Sequence, residues 1–204
     1  MAAKRKSRGR SRKRSPDCNE LLVLELQEIH SAETQLSRAL PRLTKAVQSE
    51  QLQEMVERRQ EEGERVLEEV ASALEEMDES PGRRKNSAAE GLINSAREHT
   101  QEIQPGPALD AVLIGAIQKT EHYCIAAWGT ARSLAQTAGE RTAVKAMERA
   151  LKEGKRYDEE LTELAESEIH PQLMPQEASE EEEEMQQPRG RSRRGTSSER
   201  RIST

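Results

Sequence analysis

Four stretches of this sequence place an acidic side chain where helical spacing calls for an apolar one. In Thr120-Glu121-His122-Tyr123-Cys124, Glu121 follows Ile117 by four residues and precedes Cys124 by three, with Trp128 one turn further on. These spacings put all four residues on one helix face. A carboxylate on an apolar face is expensive to bury unless a metal ion, a proton or a cationic partner compensates it. Glu33 interrupts the stripe Leu22, Leu26, Ile29, Leu36, Leu40, Leu43, Val47 in the same way. Glu64 lies one turn before Leu67 on the widened face of the stripe Leu52, Val56, Gly63, Val66, Val70, Ala73, Met77, and Glu61 is three residues before it. Asp158 interrupts the stripe Val144, Met147, Leu151, Gly154, Leu161, Ala165.

Iron and manganese accept carboxylate oxygens. Metal sites in helical bundles take a Glu from each of two helices and a Glu-x-x-His pair from each of the other two. Glu61-x-x-Glu64 has that spacing with Glu in place of His, and no Glu-x-x-His falls on the inner face of the last long helix. The candidate metal ligands are therefore Glu33, Glu61, Glu64, Glu121 and Asp158. The alternative is that each is a flank residue in a glutamate-rich chain. His122 points about 100° away from Glu121 around the helix and is expected to be partly exposed. Cys124 is expected to be a small core residue, with no histidine placed to activate it.

These residues must be positioned by helices. The chain is 1% aromatic, with no Phe and one Trp, so too few residues suit strands. The stripes predict four long helices, at about 19–48, 50–78, 108–138 and 140–169, with a shorter one over about 87–101. Asp17 or Asn19 can cap the first, and Pro41 is expected to kink it. Ser80-Pro81-Gly82 and Gln104-Pro105-Gly106-Pro107 break the chain around the short helix, and Gly139 ends the third long one. Two helical hairpins joined by a longer crossing segment describe an all-α, antiparallel four-helix bundle with a short extra helix in the crossover.

The chain is 34% charged and its mean hydropathy is -0.95, too polar for all of it to pack. Its net charge of -6 hides an uneven layout. Residues 1–16 are basic, Glu180 to Glu184 form an acidic block, and Arg189 to Arg201 are basic again. The expected organisation is a disordered tail over 1–16, a bundle over 17–171 and a second disordered tail over 172–204. The basic segments suit contact with nucleic acid or another polyanion, although no aromatic residues interleave them for base stacking. Two cysteines, Cys18 and Cys124, do not make a disulfide framework. No apolar run of roughly 18 residues exists, so no membrane contact is expected and a cytoplasmic location is the default.

Leu21 to about Leu164 resembles the YciE/YciF family of ferritin-like proteins. The runs that carry the resemblance are His30-Ser31-Ala32-Glu33-Thr34-Gln35-Leu36, Glu61-Glu62-Gly63-Glu64, Ala89-Glu90-Gly91-Leu92-Ile93 and Thr120-Glu121-His122-Tyr123-Cys124-Ile125-Ala126-Ala127-Trp128-Gly129-Thr130. The last is similar to the family's Val-Glu-His-Tyr-Glu-Ile-Ala-x-Tyr-Gly-Thr. The resemblance implies a ferritin-like bundle, a homodimer, a link to stress responses and an iron site, either di-iron or mononuclear, with manganese as the other metal. It matches Glu33, Glu61, Glu64, Glu121 and Asp158 to the family's inward acidic positions. Gly154 departs from it, standing where the family has a carboxylate one turn before Asp158.

Two functions follow from this reading. One is a carboxylate-bridged metal protein with ferroxidase-type activity in stress protection. The other is a non-catalytic bundle with a degenerate metal site that binds DNA or protein through its charged tails. No nucleophile-base pair or phosphate-binding glycine loop supports a hydrolase or a transferase.

Overall fold

A computed structural model describes residues 15–175. Five α-helices account for most of them: α1 (Cys18–Thr44), α2 (Glu50–Glu76), α3 (Ser87–Glu102), α4 (Pro107–Ala138) and α5 (Arg141–Leu164). A π-turn over Ala165–Ile169 and a 3-10 turn over His170–Leu173 follow. The described residues contain no strand. None of their helices is long and apolar enough to cross a membrane.

Local chemistry sets the helix starts. Asp17 caps α1 through a capping box, its carboxylate accepting from the Glu20 N–H at 2.9 Å while Glu20 accepts from the Asp17 N–H at 2.9 Å. Ser49 caps α2 and Asn86 caps α3. α4 begins with Pro107, whose missing N–H costs nothing in a first turn. It ends at Gly139, which has φ 84° and so takes the left-handed conformation that favours glycine.

The long helices form the ferritin-like antiparallel bundle, in the ring order α1, α2, α5, α4. The α1–α2 and α4–α5 hairpins are joined by a crossover that contains α3, which packs on α1 and α4. The core is aliphatic, with Trp128 its largest fully buried side chain. Asp110 is also buried and accepts from the backbone N–H groups of Gln48 (3.0 Å) and Ser49 (2.8 Å), tying the α1–α2 turn to α4.

Three expectations need correction. α1 runs through Pro41 and stops at Thr44, so the proline falls in the last turn instead of inside a longer helix. The last long helix stops being regular at Leu164 and continues as a π-turn. The buried face of α5 carries Ala143, Ala146, Ala150, Tyr157 and Leu164, one residue out of phase with the expected Val144, Leu151 and Asp158, although the expected Ala165 is buried. Apart from residues 15–16 and 172–175, the two expected tails lie outside the described residues.

Candidate functional site

The interior of the bundle holds three charged side chains in direct contact. Glu33 of α1 is 1% exposed, Arg59 of α2 4% and Glu121 of α4 2%. Each occupies a place in its helix where the four-three spacing of apolar residues demands an inward side chain. Arg59 lies three residues after Val56 and four before Gly63.

The Arg59 guanidinium engages both carboxylates. Its Nη1 donates to Glu33 Oε2 at 3.1 Å and its Nη2 to Glu33 Oε1 at 3.0 Å, a two-pronged pairing. Its Nε donates to Glu121 Oε2 at 2.7 Å. The same Nη2 is 3.8 Å from Cys124 Sγ, and Cζ lies 5.6 Å from the centre of the Trp128 ring, within cation-π range. Burial alone would lower the pKa of Arg59, but Glu121 and Glu33 hold it charged. Burial raises Glu121 above the ordinary carboxylate value, and Arg59 only partly offsets that. Glu33 takes the two-pronged side of the guanidinium, whereas Glu121 is met only by its Nε. Burial also pushes the Cys124 thiol well up, so it is no nucleophile at neutral pH.

Two glycines leave room for this cluster. A Cβ at Gly63 would stand 2.9 Å from Glu33 Oε2 and 3.0 Å from Arg59 Nη1. A Cβ at Gly154 would stand 2.5 Å from Trp128 Cζ3 and 2.6 Å from Glu121 Oε1. Glycine inside a helix costs about 1 kcal/mol relative to alanine. Here close approach of side chains from neighbouring helices explains it.

The five candidate ligands do not converge. Glu33 and Glu121 are inside, but Glu61 and Glu64 are exposed on α2. Leu67, which suggested a wider apolar face there, is itself only partly buried. Asp158 sits at the edge of the bundle, with its Oδ2 3.5 Å from Nε2 of an exposed His122 and its Oδ1 3.3 Å from the Gln118 amide. Tyr157 takes the interior position beside it. Among the described residues, no three His, Cys, Asp or Glu side chains are grouped to hold a metal ion. Of the four oxygens on Glu33 and Glu121, Arg59 engages three, and only Glu121 Oε1 is without a hydrogen-bond partner. The residues present do not fit a carboxylate-bridged metal centre. Arg59 and Tyr157 are the residues that the sequence reading missed.

The state of Glu121 can be tested directly. An acid whose pKa is higher in the folded chain contributes stability that is fully present below its unfolded value and is lost as pH rises through the folded value. The stability of the wild type relative to Glu121→Gln should therefore fall as pH climbs from about 4.5 through the raised value. Urea unfolding across a pH series measures this, and a difference that does not change with pH would refute it.

The profile of the DUF892 family, described as a domain of unknown function, matches residues 17–174, and the chain belongs to this family. The chain is 38% identical to Protein YciF of Escherichia coli (strain K12) over 141 residues, which is 69% of this chain and 85% of that protein. The crystal structure of the E. coli stress protein YciF matches with a TM-score of 0.71 at 36% identity, over 74% of this chain and 96% of that one. YcfI from Rhodopseudomonas palustris, provisionally described as a structural protein, matches with a TM-score of 0.69 at 28% identity, over 72% of this chain and 94% of that one.

Proposed function

We propose that this DUF892 member is a metal-independent helical bundle that serves in stress protection as a structural and binding protein, not as a ferroxidase. The stress role rests on the similarity to the E. coli stress protein YciF. A structural role is also the provisional description of the relative from Rhodopseudomonas palustris. The observation that carries the metal-independent reading is the Arg59 guanidinium between Glu33 and Glu121. A permanently charged group already engages three of the four oxygens of the two inner carboxylates, so a divalent cation would have to displace a buried, paired arginine.

The thermal midpoint tests this reading. A metal that binds only the folded chain adds about 2.7 kcal/mol at a hundred times its dissociation constant, which raises the midpoint of a chain this size by about 5–10 °C. The wild type should unfold at the same temperature in excess Fe(II), excess Mn(II) or chelator. A rise of that size, lost in Glu121→Ala, would favour the metal reading instead.

Binding is assigned to the terminal segments. Residues 1–14 carry eight Lys and Arg and no Asp or Glu, which suits the phosphates of a nucleic acid. Deleting residues 1–14 should sharply lower a DNA affinity that falls steeply with salt, and equal affinity in the shortened chain would exclude this role for the segment.

A further inference from the structure

Two interior polar atoms left without partners belong to residues that line one small cavity. Glu121 Oε1 and the Tyr157 hydroxyl are both buried and make no hydrogen bond. Both residues line a cavity of about 30 Å³ between α2, α4 and α5, with Gly154 as part of its wall. Gly154 lets α5 pack closely beside it: a Cβ there would come to 2.6 Å from the same Glu121 Oε1.

Leaving either atom unsatisfied in the interior is costly, so something should answer both. The cavity exceeds the roughly 10–15 Å³ that one water molecule needs. It is far too small for an organic ligand. The charges around it select among small occupants. Arg58, Arg59 and Arg156 on its lining are balanced by Glu62, Glu121 and Glu153, so neither a free anion nor a free cation gains from entering. A neutral molecule that both donates and accepts is favoured.

We propose that this cavity is a binding site for one structural water, which bridges Glu121 Oε1 and the Tyr157 hydroxyl. The water donates to the carboxylate oxygen that Arg59 leaves free. The hydroxyl, which can donate or accept, takes its other side. The bridge suits either protonation state of Glu121, because the water accepts if the carboxyl is protonated on Oε1. It ties α5 to the ion cluster through Tyr157, a residue that otherwise reaches the cluster only by packing. The site rests on Arg59 holding the other oxygen of Glu121, as in the metal-independent reading.

A high-resolution crystal structure of the wild type, with anomalous data collected at the iron and manganese edges, combined with the thermal midpoint of Tyr157→Phe, tests the site. The expected result is one solvent peak within hydrogen-bond distance of both oxygens, no anomalous signal, and a midpoint lower by about 2–4 °C in the variant, which strands the water and Glu121 Oε1. An empty cavity, with Tyr157→Phe unchanged or more stable because an unsatisfied hydroxyl has been removed, would overturn the water site and leave the metal-independent reading intact. An anomalous peak at the cavity would overturn both.

Discussion

Replacing Arg59 with alanine should destabilise this protein by about 3–5 kcal/mol, the effect expected when one member of a buried ion cluster is removed. The loss is not simply that of three hydrogen bonds. The substitution leaves Glu33 and Glu121 facing each other in the interior with no cation between them. It also opens a hole against Trp128, over which the guanidinium lies. At the scale expected for a chain of this size, the midpoint should drop by about 10 °C or more. Lysine should not restore it, because an ammonium lacks the planar fork that meets both oxygens of Glu33 while also reaching Glu121. Replacing all three residues together with Leu, Met and Leu should recover much of the loss, since an apolar set of similar volume avoids desolvating charge altogether. Denaturant unfolding of the single and triple variants measures both effects. A loss below about 1 kcal/mol for Arg59→Ala would mean that the cluster is no more than a surface-like pair and does not close the core.

The second large effect is expected at Gly154. In an ordinary helix interior, Gly→Ala stabilises by up to about 1 kcal/mol. At residue 154 the added methyl would sit 2.5 Å from Trp128 Cζ3 and 2.6 Å from Glu121 Oε1. Neither neighbour is a flexible surface tip: Trp128 fills the centre of the core and Glu121 is held by Arg59. Forcing a methyl into such a place costs about 1–3 kcal/mol, enough to outweigh the gain in propensity. Gly115 and Gly129 of α4 are matched controls, because a Cβ at either would meet nothing within 4 Å. Their alanine variants should be neutral or stabilised. If Gly154→Ala behaved like them, the tight approach of α5 to the ion cluster would be wrong.

Much of the fold was legible because the chain punctuates itself. The stripes of α1 and α4 repeat with four-three spacing, Asp17 and Ser49 cap, and the Pro/Gly clusters isolate α3. The interior of the site was legible only in part. Glu33 and Glu121 stand out because one acid interrupts an otherwise apolar face. Arg59 went unread because an arginine on a charged helix looks like a solvated residue. Yet the step from Val56 to Gly63 spans seven residues and needs one inward side chain between them, and Arg59 is the residue at that step. On α5 the phase slipped by one, because Val144 and Leu151 look more like core than Ala143 and Ala150 do. Both stripes pass through Met147, Gly154 and Leu161, so the pattern alone could not separate Tyr157 from Asp158. Where α5 approaches α4 closely, small residues go inside, and this depends on the partner helix, not on the helix's own sequence.

Gly154 illustrates how a departure from a family pattern can have a positive cause. The resemblance made it a missing carboxylate. In the structure it is the space that Trp128 and Glu121 require. Gly63 plays the same part for Glu33 and Arg59 from the other side. The arginine and the two glycines thus form one arrangement, a buried cation with room made around it.

Metal content after anaerobic reconstitution tests this account most directly. Wild-type protein and Glu121→Ala should be incubated with excess Fe(II) or Mn(II), desalted and analysed for bound metal. The account predicts no stoichiometric metal in either. About one or two ions per chain in the wild type, lost in the variant, would show that the inner carboxylates bind metal in spite of Arg59 and would contradict it.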